Sequence, residues 1–137
     1  MFELKPKEID RLVRAAIDAR DQAYAPHSHF YVGAALWIPS GEIVHGCNVE
    51  NASYSLSICA ERVAASTAVM KGYREFHAIA VASVGGVSPC GACRQFLSEF
   101  GMDVQIIMAD VLTGARQIRS LSQLLPDAFD ASNLPTN

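Results

Sequence analysis

The sequence lacks any apolar run long enough to cross a bilayer. Its longest clearly apolar stretch, Tyr31 to Ile38, falls far short of the roughly 20 residues a spanning helix needs. It also lacks a Lys/Arg block or a basic stripe, since 11 basic and 14 acidic residues leave a formal charge of −3. Nucleic-acid polymers are bound largely through cationic contacts to phosphate, so such a partner fits poorly and a small polar ligand fits better. No repeat, low-complexity tract or linker interrupts the chain, and its length of 137 residues suits one domain, expected over 1–137. The opening MFELKPKEIDRLVRAA is amphipathic and of mixed charge, without the apolar region of a signal peptide, and is read as cytoplasmic. Cysteine is sparse at four residues, which in that compartment serve better as thiols or metal ligands than as disulfides.

What the chain does have is apolar content, at 50% of residues. That rules out a disordered chain and hints at apolar surface buried between subunits. Apolar residues recur at helical spacing over Pro6 to Tyr24, with Pro6 in the first turn and Pro26 ending the pattern. Phe30 to Ile38 and Glu42 to Val49 read as a hairpin around Ser40-Gly41, and Asn51 to Ser57 as a polar loop. Ile58 to Lys71 is a second predicted helix, apolar nearly all round and closed by Gly72. Ala78 to Val84 and Val104 to Met108 are continuous apolar strands of the kind buried on both faces. Between them Cys90 to Phe100 reads as a helix, with Pro89 at its start and Gly101 past its end. A short strand near Arg116 to Ile118, a short helix over Ser120 to Leu125 and a loop-like tail complete the pattern. Strands alternating with helices predict an α/β domain of three layers, α/β/α.

Two motifs carry chemistry, Cys59-Ala60-Glu61 and Pro89-Cys90-Gly91-Ala92-Cys93. A CxxC pair alone has three readings: a redox pair, half of a zinc site, or chance. Cys59 alone reads as a small buried hydrophobe, and so does Cys47, which stands in a strand pattern outside both motifs. Together the motifs say more. Each falls where a helix begins, and helix starts carry partial positive charge and unpaired N–H groups that favour the thiolate, the form that binds metal. Three thiolates leave one tetrahedral position open, as in a catalytic rather than a structural zinc site. Glu61 stands two residues past the first thiol and need not be a ligand. A structural four-cysteine site using Cys47 would leave Glu61 without a role. The four histidines lack ligand spacing to one another and read as surface or packing residues, with His27 and His29 near a pocket.

The paired motifs match the signature of zinc deaminases of nucleobases in its three-cysteine form. The chain closely resembles the small homotetrameric cytidine deaminases through HFYVGAAL, GCNVENASYSLSICAERVAA, SPCGACRQFLSEF and LLPDAF, which fall in order between residues 29 and 129. The resemblance implies a central mixed sheet of five strands, and a Zn2+ ion in each subunit held by Cys59, Cys90 and Cys93. It implies that Glu61 is the general acid and base, and that Arg62 hydrogen-bonds the zinc thiolates. Asn48 and Glu50 would bind the ribose 3′-hydroxyl. Phe30, the backbone at Ala60 and Phe129 would contact the base, and Ala52 and Tyr54 would reach a neighbouring subunit's site. The implied reaction is hydrolysis of cytidine and 2′-deoxycytidine to the uridines and ammonia, in pyrimidine salvage.

The chain departs from the family pattern at Tyr31, in place of Pro, at His27, in place of Tyr, and at Ser55, in place of Gly. Its loop from Ser83 to Ser88 is also short. These departures leave a modified cytidine or an aminonucleoside antibiotic as an alternative substrate. A structural zinc or nucleoside-binding module is the non-enzyme alternative, and Glu61 argues against it.

Overall fold

A computed structural model describes residues 3–135; Met1, Phe2, Thr136 and Asn137, the ends of the expected 1–137 domain, lie outside the described residues. The chain runs α1 (Pro6–Arg20), β1 (Gly33–Trp37), β2 (Ile43–Cys47), α2 (Ala60–Met70), β3 (Ala78–Ser83), α3 (Gly91–Ser98), β4 (Gln105–Asp110), β5 (Arg116–Ser120) and α4 (Leu121–Leu124). The strands form one sheet in the order β2-β1-β3-β4-β5. β3 and β4 are parallel and the other neighbours antiparallel, so the sheet is mixed and five-stranded, as expected. No helix among the described residues is long and apolar enough to cross a membrane.

Strand alternation divides the core into two layers. Ala35, Trp37, Ala78, Ala80, Ala82, Ile107 and Ala109 pack with Leu12, Val13 and Ala16 of α1. Their neighbours Ala34, Leu36, Ile79, Val81, Ile106 and Met108 pack with Ala60, Ala64, Ala65 and Ala68 of α2 and Leu97 of α3. Successive strand residues face opposite sides, so α1 covers one face and α2 with α3 the other. This is the three-layer α/β/α arrangement.

Two glycines set how closely the helices approach. A Cβ on Gly33 would stand 1.9 Å from the Ala16 carbonyl oxygen of α1. A Cβ on Gly46 would stand 2.5 Å from both the Ala60 carbonyl oxygen and the Ala64 nitrogen of α2. Only glycine lets backbone meet backbone there.

Several elements differ in extent from the sequence pattern. α1 ends at Arg20, not Tyr24, because Tyr24 leaves the helix to bond Asn48 and Glu50 through the backbone. β1 starts at Gly33, not Phe30, because the preceding residues are held by the Asn48 side chain. α2 starts at Ala60, since Ile58 pairs with Val49 and Cys59 caps the helix. It is buried on one face rather than all round, and Met70 is 88% exposed. The polar loop contains a 3-10 turn over Tyr54–Leu56.

Candidate active site

The cysteines gather where two helices begin. Cys59 immediately precedes α2 and Cys90 immediately precedes α3, both in extended backbone. Cys93 lies in the first turn of α3 and is fully buried. The parallel pair β3 and β4 makes this possible, because β3 carries the chain from the end of α2 back to the start of α3. The turn between β3 and Cys90 is tight, with Gly85 and Gly86 at positive φ and the Val87 amide bonded to Ser83 Oγ at 3.1 Å.

All three Sγ atoms lie within 4.8 Å of one another. Cys59 and Cys90 are 3.9 Å apart and Cys90 and Cys93 3.6 Å. Zn–S bonds of about 2.3 Å at a tetrahedral centre place the sulfurs about 3.8 Å apart, so the donors fit one zinc ion. Cys47, in β2, and the four histidines do not belong to this group, the only one of its kind among the described residues. The Cys59 thiol is pulled down to about 5, first by its hydrogen bond with Cys93 and then by Arg62 and Cys90, against the opposing effect of burial. Cys93 is pushed up by that same bond and by burial.

Glu61 sits in the first turn of α2, 4% exposed, among alanines. Burial pushes its carboxyl up to about 7, and the charge at Cys59 adds to the shift, while Arg62 acts in the opposite direction. Arg62 Nη2 donates to Cys59 Sγ at 3.8 Å. Its buried Nε has no hydrogen-bond acceptor among the described residues.

The rest of the site is a loop assembly joined to the cysteines by backbone pairing. Val49 and Ile58 exchange hydrogen bonds of 2.9 and 2.8 Å, which sets Asn48 to Glu50 alongside the residues leading into Cys59. Asn48 spends its amide on the chain: Oδ1 accepts from the Val32 amide at 2.9 Å, and Nδ2 donates to the Phe30 carbonyl at 2.8 Å. Glu50 Oε1 accepts from the His27 and Ser28 amides at 2.9 and 3.1 Å, and Oε2 accepts from the Ser28 hydroxyl. These bonds, the Ser28 hydroxyl first, hold the Glu50 carboxyl below its ordinary range.

Ala60 is buried at the head of α2. Phe30, Ala52, Tyr54 and Phe129 are exposed in the single chain, Tyr54 at 71% and Phe129 at 53%. The His27 and Tyr54 rings lie 6.0 Å apart. Phe129 is tied to the cysteine helix, because Gln95 Nε2 donates to its carbonyl at 2.9 Å. The sequence reading passed over Gln95 and its neighbour Arg94. Arg94 bonds the Pro89 and Leu124 carbonyls and Ser88 Oγ, holding the approach to Cys90. Their position directly after Cys93 was the available signal. The reading also passed over Ser28, for which spacing gives none.

Residues 6–109 match the family model described as the cytidine and deoxycytidylate deaminase zinc-binding region. A cytidine deaminase of Sporosarcina psychrophila is 44% identical over 129 residues, covering 93% of this chain and 95% of that one. The crystal structure of a cytidine deaminase from Burkholderia pseudomallei superposes with a TM-score of 0.84 at 48% identity, covering 88% of this chain and 98% of that one. That of a cytidine deaminase from Mycobacterium tuberculosis gives a TM-score of 0.78 at 39% identity, covering 89% and 97%. The fold, the three-thiol cluster and these matches agree, and the chain belongs to the zinc-binding cytidine deaminase family.

Proposed function

We propose that this chain hydrolyses cytidine and 2′-deoxycytidine to uridine and 2′-deoxyuridine with release of ammonia, as a cytoplasmic enzyme of pyrimidine salvage. The observation that carries the reading is a three-thiol cluster of zinc-binding dimensions with one buried carboxylate, Glu61, two residues past its first member. Bound by Cys59, Cys90 and Cys93, zinc supplies a Lewis acid that lowers the pKa of water toward about 7. Three thiolates give that centre a formal excess of negative charge, which works against this effect. Arg62 offsets the excess through its contact with Cys59 Sγ.

Glu61 moves the protons. It accepts one from the attacking water, delivers one to ring nitrogen 3, and helps protonate the leaving amino group at carbon 4. Burial raises the Glu61 carboxyl above the ordinary carboxylate range, which favours a group that both accepts and delivers protons. Water adds its oxygen at carbon 4 and the amino group departs as ammonia, so the reaction balances without any further reactant.

Asn48 and Glu50 fit a single hydroxyl. Asn48 keeps one N–H after donating to Phe30, and Glu50 Oε2 keeps an acceptor position after accepting from Ser28. A hydroxyl that accepts from the one and donates to the other satisfies both, in line with the ribose 3′-hydroxyl. Phe30, the Ala60 backbone and Phe129 are the base contacts. Ala52 and Tyr54 extend to a neighbouring site in a homotetramer, a role supported by the exposure of Tyr54 in the single chain.

The test is direct. Zinc-loaded protein mixed with cytidine should release ammonia and lose absorbance near the cytidine maximum, and a zinc chelator should abolish both. Absence of turnover with cytidine and with deoxycytidine would overturn the reading.

A further inference from the structure

The Glu50 carboxylate is gripped from one side by two consecutive residues. The His27 and Ser28 amides both point at Oε1, at 2.9 and 3.1 Å. Among the described residues, Oε2 receives only the Ser28 hydroxyl. That hydroxyl also accepts from the Phe30 amide at 3.0 Å. Ser28 Oγ therefore stands in a chain of bonds running from the Phe30 backbone to the Glu50 oxygen that retains an open acceptor position. Ala25 anchors this loop from behind, since its carbonyl accepts from His29, which adopts a positive φ of 56°. Asn48 anchors its far end at Phe30 and Val32.

We infer that Ser28 is a positioning residue for substrate recognition: its hydroxyl fixes Glu50 Oε2 in the orientation that accepts the sugar hydroxyl, and couples that oxygen to the Phe30 segment beside the base. The inference rests on the reading of Glu50 as a sugar contact. Two bonds to Oε1 alone leave the carboxylate free to swing Oε2 about the held oxygen. The third bond removes that freedom before the nucleoside arrives, so binding does not have to supply the ordering. The lowered Glu50 pKa, with Ser28 as its largest cause, agrees with a carboxylate kept ionised and acceptor-only. Without the hydroxyl the loop loses the bond from the Phe30 amide but keeps its other anchors, the two backbone amides on Oε1 and the Asn48 bonds to Phe30 and Val32.

The test compares cytidine with 3′-deoxycytidine, which lacks the recognised hydroxyl, on the zinc-loaded enzyme. Ser28→Ala should raise KM for cytidine about 10- to 150-fold, the scale of one hydrogen bond to a charged group, with kcat within about twofold. The same variant should match the parent enzyme on 3′-deoxycytidine within about twofold, because that substrate makes no use of an oriented Oε2. Ser28→Thr keeps the hydroxyl and should restore the cytidine KM to within about threefold of the parent. Equal losses on both substrates, a loss confined to kcat, or no rescue by threonine would each overturn the proposal. Glu50→Gln separates the two levels. If it penalises cytidine and spares 3′-deoxycytidine while Ser28→Ala does not, the Glu50 reading stands and the Ser28 proposal falls. If Glu50→Gln penalises both alike, both fall.

Discussion

Cys59, Cys90 and Cys93 stand on helix starts backed by fully buried residues, whereas Asn48 and Glu50 stand in a loop whose shape comes from side chains bonding backbone. In the first half, position follows from packing. α2 is pressed onto β2 at Gly46 and onto the sheet through Ala64, Ala65 and Ala68, so the place of Cys59 and Glu61 is decided by the core. In the second half, position follows from a few polar bonds at a partly exposed surface. On the roles proposed for these residues, the contrast predicts that chemistry and substrate recognition can be disturbed separately. It also says which substitutions should separate them.

The largest effect is expected where chemistry depends on one atom and folding does not. Glu61→Gln keeps size and shape but cannot carry a proton, so turnover should fall by about 10²- to 10⁴-fold. Bound zinc, measured by metal analysis, and the thermal midpoint should stay close to the parent. Retained activity would mean that the packed half does not hold the proton carrier.

A smaller effect is expected on the loop half. Asn48→Ala removes the acceptor of the Val32 amide and the donor to the Phe30 carbonyl, at a residue, Val32, that is itself buried. Leaving such a group without a partner costs about 1–3 kcal/mol, which denaturant unfolding should register. The KM for cytidine should rise while zinc remains at one per chain. Zinc lost in step with stability would show that the two halves form one cooperative unit.

The smallest effect is a pH dependence confined to the loop. The Glu50 carboxyl is held below its ordinary value by Ser28 and His27. A lowered pKa in the folded state means that its stabilisation is complete above the unfolded value of about 4.3 and is lost as pH falls through the folded value. Hydrogen-exchange protection of the His27 and Ser28 amides, corrected for intrinsic rates, should therefore drop as pH falls below the unfolded value of about 4.3 and through the lower folded value. In Glu50→Gln that drop should disappear. An unchanged profile in the variant would detach the loop from Glu50.

The same contrast governs what could be read from the sequence. The cysteine cluster was legible because its ligands sit at fixed spacings on elements with strong patterns of their own. The apolar strand Ala78–Ser83 between the two motifs announced the return of the chain. The three layers followed from strands alternating with helices, and the mixed five-stranded sheet from the family resemblance, whereas the strand order emerged only in the structure. Residues 30–32 read as strand because they are apolar, yet the ladder starts at Gly33 and Asn48 takes their place in it. Tyr24 read as helix for the same reason, although its backbone pairs with Asn48 and Glu50. Bonds from a side chain to a distant backbone leave no periodic trace, so Ser28 was invisible, and Asn48 and Glu50 were singled out only through family resemblance.

Cys59 and Cys90 are 31 positions apart in the chain, with α2 and β3 between them. A metal ion that holds both is a removable cross-link. A permanent bond closing a loop of that length would be worth about 3–4 kcal/mol in chain entropy. A reversible one contributes according to how much free metal is present relative to its dissociation constant. The resistance of this fold to unfolding should therefore rise and fall with the supply of zinc around it, even in the absence of any substrate.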